Sequence, residues 1–162
     1  SRRSELCNLN VEDILFVEEG VVVTIKKSKT DQLGEGTKKG VPFAQDPETC
    51  ACLLLGRYLA HAGITTGPLF RGMLGKRLRD APLTGTAIGQ IMKKSLATIM
   101  SAESVKEYAA HSLRAGFVTH AASAGADLNA IMNQTGHRSV EMVRRYIRNE
   151  NVFNNHALKG IY

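Results

Sequence analysis

No run of apolar residues in this 162-residue sequence approaches the roughly 20 needed to span a bilayer, and the opening SRRSEL lacks the apolar stretch of a signal peptide. A cytoplasmic protein without a membrane partner is the expectation. Cysteine is scarce as well. Cys7, Cys50 and Cys52 are odd in number, and Cys50-Ala51-Cys52 has the spacing of neither a zinc knuckle nor a redox pair. All three read as small buried hydrophobes. Internal repeats and low-complexity tracts are missing. Acidic residues are in the minority, 15 Asp and Glu against 21 Lys and Arg, for a formal net charge of +6. That balance favours a polyanionic partner. The carboxylates Asp13, Asp46, Asp80 and Asp127 fall near strand starts, caps or loops with no spacing that converges on a metal. A metal-dependent nuclease or transposase is therefore a poor fit.

What is present suits one compact domain with a real core, since 43% of the residues are hydrophobic and 22% charged. Ile14 to Val17 and Val21 to Ile25 are β-branched and apolar runs joined by Glu18-Glu19-Gly20, which predicts a hairpin with Gly supplying a positive φ. Residues Ser28 to Gly40, rich in Gly, Lys and Thr, read as a mobile loop. Lys39 to Phe43 then returns as a third strand, projecting Lys27 to Thr30 from the end of a small sheet. Asp46 reads as an N-cap with Pro47 at the first helical position, and Leu54, Leu55, Tyr58 and Leu59 follow at helical spacing before Gly63.

From Thr86, the residues Ile88, Ile91, Met92, Leu96 and Ile99 recur with a period near 3.6, opposite Lys93 and Lys94. Burial in the core is the expected fate of that stripe. Leu113, Phe117, Ala121 and Ala124 mark a further helix closed by Gly125, and Asp127 opens a short one that ends before Gly136. Ser139 caps a last helix with Met142, Val143, Tyr146 and Ile147 on one side. The fold class is α+β and mainly helical, a small N-terminal antiparallel sheet followed by about five helices.

Breaking a DNA phosphodiester without a metal requires a nucleophile, an acid for the leaving 5′ oxygen, and fixed positive charge around the non-bridging oxygens. His111-Ser112-Leu113-Arg114 brings an imidazole and a guanidinium to one turn at a helix start. Gly136-His137 stands nine positions before Tyr146, so a loop histidine and a tyrosine about two turns later can meet. Each of these alone is more often structural: a His-x-x-Arg pair satisfied within its helix, or a core tyrosine with its hydroxyl bonded.

Order and spacing together change that. Arg2-Arg3-Ser4-Glu5-Leu6, Lys29-Thr30, His111-Ser112-Leu113-Arg114, Gly136-His137 and Tyr146 follow one another in a pattern that resembles the tyrosine recombinases, or phage-type integrases, from Arg2 to about Tyr146. The resemblance implies a helical catalytic domain over residues 1–148, with a small sheet that carries the lysine on a hairpin loop. By the same resemblance Arg2 and Arg114 clamp the scissile phosphate, where planar forks of donors suit the charge that accumulates on the phosphoryl oxygens. Lys29 matches the lysine that protonates the departing 5′ oxygen, with Lys26 and Lys27 as neighbouring alternatives. His111 matches the histidine that assists proton transfer, and His137 a second position whose role is more positional. Glu5 matches an acidic residue that supports the basic members, the plain alternative being a solvated glutamate. Tyr146 is the implied nucleophile. Phenols ordinarily ionise near pH ~10, so its deprotonation depends on the surrounding positive charge.

The implied partners are double-stranded DNA at a specific site and three further copies of the chain, a tetramer acting on two duplexes; no cofactor or metal is implied. Residues 149–162 resemble the family's C-terminal tail, in which Val152, Phe153, Ala157 and Leu158 pack on a neighbouring protomer or else fold back on their own domain. In the family, further helices and a separate helical domain precede the first arginine. The chain therefore reads as an N-terminally truncated part of a longer recombinase of bacterial or phage origin, with Arg2 weakly anchored and DNA bound less tightly than by the intact protein. Two other readings remain open: a type IB topoisomerase, which relaxes DNA without strand exchange, and an accessory DNA-binding protein that keeps the fold without the chemistry.

Overall fold

The computed structural model describes residues 3–26, 36–137 and 139–147, excepting the side chain of Ala110. The chain forms two compact units, Ser1–Ala110 and His111–Tyr162.

The first unit opens with a short helix α1 (Arg3–Cys7) and a single 3-10 turn (Val11–Asp13). The turn is closed by a reciprocal cap, in which the Asn10 N–H donates to Asp13 Oδ2 at 3.0 Å. Strands β1 (Ile14–Val17), β2 (Gly20–Ile25) and β3 (Thr37–Pro42) build an antiparallel sheet in the order β1-β2-β3. Ile14 faces Val23, Val17 faces Gly20, and Gly20 in turn faces Pro42. Gly20 takes φ +153°, and a Cβ there would sit 2.1 Å from the Val41 carbonyl oxygen, so the tight turn and the close approach of β3 both require glycine. The third strand starts and ends earlier than the sequence suggests: Thr37 and Lys38, expected in the loop alone, are strand residues paired with β2. The projected segment Lys27 to Thr30 lies outside the described residues.

Helix α2 (Ala51–Ala62) is capped by Cys50 and not by Asp46. Asp46 closes a turn of its own, accepting from the Glu48 N–H at 3.0 Å and the Thr49 hydroxyl at 3.0 Å, and this local satisfaction ends before the helix begins. The helix stops at Gly63, whose φ of 61° is left-handed. Cys50 and Cys52 are buried with Val21, and Ile14, Val23, Val41 and Leu55 pack around them. Cys7, expected to be buried too, is half-buried. Leu54, one of the apolar residues at helical spacing, is exposed, because Cys52 takes the inward position. The Cys52 thiol donates to the Val41 carbonyl at 3.2 Å, and burial pushes its pKa up; the Leu53 and Ala44 backbone N–H groups hold the Cys50 thiol below its ordinary range.

Strands β4 (Arg71–Leu74) and β5 (Arg77–Pro82) form a second, two-stranded sheet, turning at Gly75-Lys76 with Leu74 opposite Arg77. Its charged, poorly β-branched sequence gives no strand signature, which is why the pattern passes over it. Arg71 and Asp80 pair across it at 2.5 Å. Helix α3 (Gly85–Leu96) is capped by the Thr84 hydroxyl, which accepts from the Ala87 N–H, and a short α4 (Ala102–Glu107) follows. The stripe expected to be core on α3 is not: no α3 residue is buried, Ile91 is exposed, and Ile99 lies past the helix end at 77% exposure. α1 packs against α3, with the Arg3 side chain over Gly85 and Gly89.

Among the described residues, the second unit is a three-helix cluster of α5 (Ala110–Ser123), α6 (Leu128–Thr135) and α7 (Val140–Ile147). Asp127 caps α6 by accepting from Asn129 and Ala130, and Ser139 Oγ accepts from the Met142 N–H of α7 at 3.4 Å. Val118, Ile131 and Val143, one from each helix, form its core. The buried face of α5 is therefore the one carrying Val118, while Leu113 and Phe117, two of the apolar residues that mark the helix in the sequence, are exposed. Met142 is exposed as well, beside a fully buried Val143.

Candidate active site

The second unit brings four of the sequence-derived candidates to one place. His111 stands in the first turn of α5, with Arg114 one turn on. Gly136, at φ 71°, ends α6 in a left-handed residue and turns the chain so that His137 is buried, at 7% exposure. Tyr146, in the last turn of α7, packs its ring on the Val118–Ile131–Val143 core. Its hydroxyl lies 2.6 Å from His111 Nε2. Its ring lies 5.8 Å from that of His111 and 5.6 Å from that of His137, centroid to centroid. Arg114 Nε donates to His137 Nε2 at 3.3 Å. A tyrosine hydroxyl, two imidazoles and a guanidinium thus form one connected group.

Two residues without any signature in the sequence complete the frame. The Thr119 hydroxyl of α5 donates to the Tyr146 carbonyl at 3.1 Å, fixing the last turn of α7 against α5. Thr135 Oγ1 donates to the Ile131 carbonyl at 2.6 Å and lies 2.7 Å from His137 Nδ1. Threonine hydroxyls often return to a carbonyl four residues back in a helix, so only the placement of His137 reveals the second contact.

The remaining candidates belong to the first unit. Glu5 is buried in α1 at 8% exposure, which replaces the alternative of a solvated glutamate. Arg2 and Lys29 lie outside the described residues, as does Lys27. Lys26 pairs with the buried carboxylate of Asp13 at 2.5 Å, and hydrogen bonding to Asp13 raises its pKa above the ordinary lysine range. That engagement makes Lys26 an anchor for the end of β2. Among the described residues no three His, Cys, Asp or Glu side chains converge as a metal site, and no helix is long and apolar enough to cross a membrane.

Such a helical unit, with a tyrosine held at an imidazole beside a half-buried guanidinium, has the groups needed to bind an anion and to attack it. The comparisons place the chain more closely. The phage integrase family matches it over residues 1–152, and the chain belongs to that family. It is 40% identical over 162 residues to an integrase/recombinase XerD homolog of Selenomonas ruminantium, covering 99% of this chain and 47% of that relative. Over 148 residues it is 31% identical to the tyrosine recombinase XerC of Mycobacterium tuberculosis, covering 90% of this chain and 44% of that one. Its fold is similar to the crystal structure of XerA recombinase, with a TM-score of 0.65 at 23% identity, over 99% of this chain and 50% of that chain. The chain thus spans about half the length of the relatives it matches.

Proposed function

We propose that this chain carries the catalytic site of a site-specific DNA recombinase, which cuts and rejoins strands without a metal through a 3′-phosphotyrosine intermediate. The observation that carries the reading is the 2.6 Å contact of the Tyr146 hydroxyl with His111 Nε2, in the same unit as Arg114 and His137. Membership of the phage integrase family supports it.

In this reading Tyr146 Oη attacks the scissile phosphorus while His111 Nε2 accepts its proton. Arg114, with Arg2, balances the charge on the non-bridging oxygens. The P–O5′ bond breaks as Lys29 gives a proton to the departing oxygen, leaving a tyrosine ester on the 3′ side and a free 5′ hydroxyl. Attack by another 5′ hydroxyl on that ester reverses the exchange, so the energy of the bond is conserved and no ATP is consumed. Glu5 supports the basic members from α1. Residues 1–148 form the catalytic part and 149–162 the tail through which four protomers join on two duplexes.

The test is a nicked suicide duplex, enriched from a random-sequence pool for binding to the chain. A covalent protein–DNA band with a 3′ linkage is expected on a denaturing gel, and Tyr146→Phe abolishes it. Bound DNA without any covalent band in the unaltered chain would leave an accessory DNA-binding protein in its place.

A further inference from the structure

Resting on the reading that Arg114 holds a phosphate, the hydrogen bonds around His137 assign a role to a residue outside the catalytic set. Thr135 and His137 are both 7% exposed, so neither exchanges its partners freely with water. The Thr135 hydroxyl has a single proton. The Ile131 carbonyl, 2.6 Å away, receives it, while the Met132 carbonyl at 3.5 Å is a far weaker competitor. The oxygen is then left to accept, and the atom facing it at 2.7 Å is His137 Nδ1. Nδ1 must therefore carry the imidazole hydrogen.

The other side of the ring makes the same demand independently. Arg114 Nε–H is a donor only, since a guanidinium keeps its protons. At 3.3 Å from it, His137 Nε2 must offer a lone pair. The opposite tautomer would set two N–H groups against each other at that contact and leave Nδ1 competing with the Ile131 carbonyl for the threonine proton.

We infer that Thr135 is a positioning residue: it fixes His137 in the Nδ1–H tautomer, which makes Nε2 the acceptor that orients the Arg114 fork. His137 acts here through Arg114, and Thr135 acts through His137. The hydrogen bond at Nε restrains rotation about the Cδ–Nε bond, so the plane of the guanidinium is set before DNA arrives. Preorganised donors of this kind act on the transition state more than on binding.

The test compares the unaltered chain with Thr135→Val, which keeps the shape and loses the hydroxyl, and Thr135→Ser, which keeps the hydroxyl. Long-range 1H–15N correlation at about pH 8, above the ordinary imidazole range, reads which His137 nitrogen is protonated. The expected pattern is Nδ1–H in the unaltered chain and in Thr135→Ser, with the single tautomer lost in Thr135→Val. Single-turnover cleavage of the enriched nicked duplex should slow by about 10–100-fold in Thr135→Val, with the Kd for DNA changed less than about twofold and Thr135→Ser close to the unaltered rate. An Nε2–H tautomer in the unaltered chain overturns the inference, as does Thr135→Val with an unaltered tautomer or rate, or Thr135→Ser as slow as Thr135→Val. Should Thr135→Val fail to fold, the spectrum of the unaltered chain and the Thr135→Ser rate still decide it. Absence of any covalent adduct from the unaltered chain would instead sink the recombinase reading, leaving the tautomer to be settled by the spectrum.

Discussion

Ile131 and Leu113 carry the same amount of hydrocarbon, yet Ile131 is 2% exposed beside Val118 and Val143, whereas Leu113 is 56% exposed on α5. Truncating a fully buried side chain of this size to Ala removes about 2.4 kcal/mol of transfer free energy, at about 0.8 kcal/mol per methylene-sized group. At Ile131 the void left between Val118 and Val143 closes only in part, which takes the loss to about 3–4 kcal/mol. At Leu113 less than half of the side chain is covered, so the loss is about 1 kcal/mol. The higher helix propensity of Ala offsets each by a few tenths of a kcal/mol. Native-state hydrogen exchange at the amides of α6 and α7 is the suitable assay, because it reads the second unit by itself and two compact units need not unfold in one step. Ile131→Ala should lower protection there by about a hundredfold or more, and Leu113→Ala by less than about tenfold. Equal losses, or a larger one at Leu113, would refute the assignment of the α5 face that carries Val118 as the inward one.

Two further perturbations probe the first unit. Gly20→Ala should destabilise it by about 2–3 kcal/mol, since the new Cβ meets the Val41 carbonyl at 2.1 Å, whereas Gly63→Ala meets nothing within 4 Å and should cost only about 1 kcal/mol for its left-handed φ; urea midpoints followed by circular dichroism separate the two. The Glu12 carboxylate accepts the Gly67 N–H at 3.0 Å, and this bond lowers its pKa. A lowered folded pKa contributes stability above the ordinary carboxylate value that is lost as pH falls through the folded one. Glu12→Gln should therefore show a flatter fall of the urea midpoint than the unaltered chain between about pH 5 and pH 3, and identical slopes would count against the bond.

Much of the candidate site is legible in the sequence because its chemistry is carried by residue types at fixed separations. His111 and Arg114 share a helix turn whatever packs around them, and Gly136 needs no context to end a helix ahead of His137. Thr119 and Thr135 are not legible. A threonine hydroxyl has many local partners, and which carbonyl or ring it meets depends on how α5, α6 and α7 are set against one another. The β4–β5 hairpin escaped for a different reason: Arg71, Arg77, Arg79 and Asp80 give it a surface composition, and pairing across Gly75-Lys76, not burial, defines it.

The sequence by itself determined the first hairpin, the caps at Asp127 and Ser139, the glycine turn at Gly20 and the set of groups available for phosphoryl chemistry, since these depend on local sterics and hydrogen bonding within a few residues. Tertiary structure alone decided which face of α5 is inward, that Cys52 and not Leu54 packs beneath the sheet, that Lys26 is committed to Asp13, and that His137 is held between Thr135 and Arg114. Periodicity gives an amphipathic helix more than one plausible face, and a side chain's hydrogen-bond partner is fixed only when a second element arrives. Val118, Ile131 and Val143 meet from three separate helices, and that meeting sets the places of His111, Arg114, His137 and Tyr146 around them.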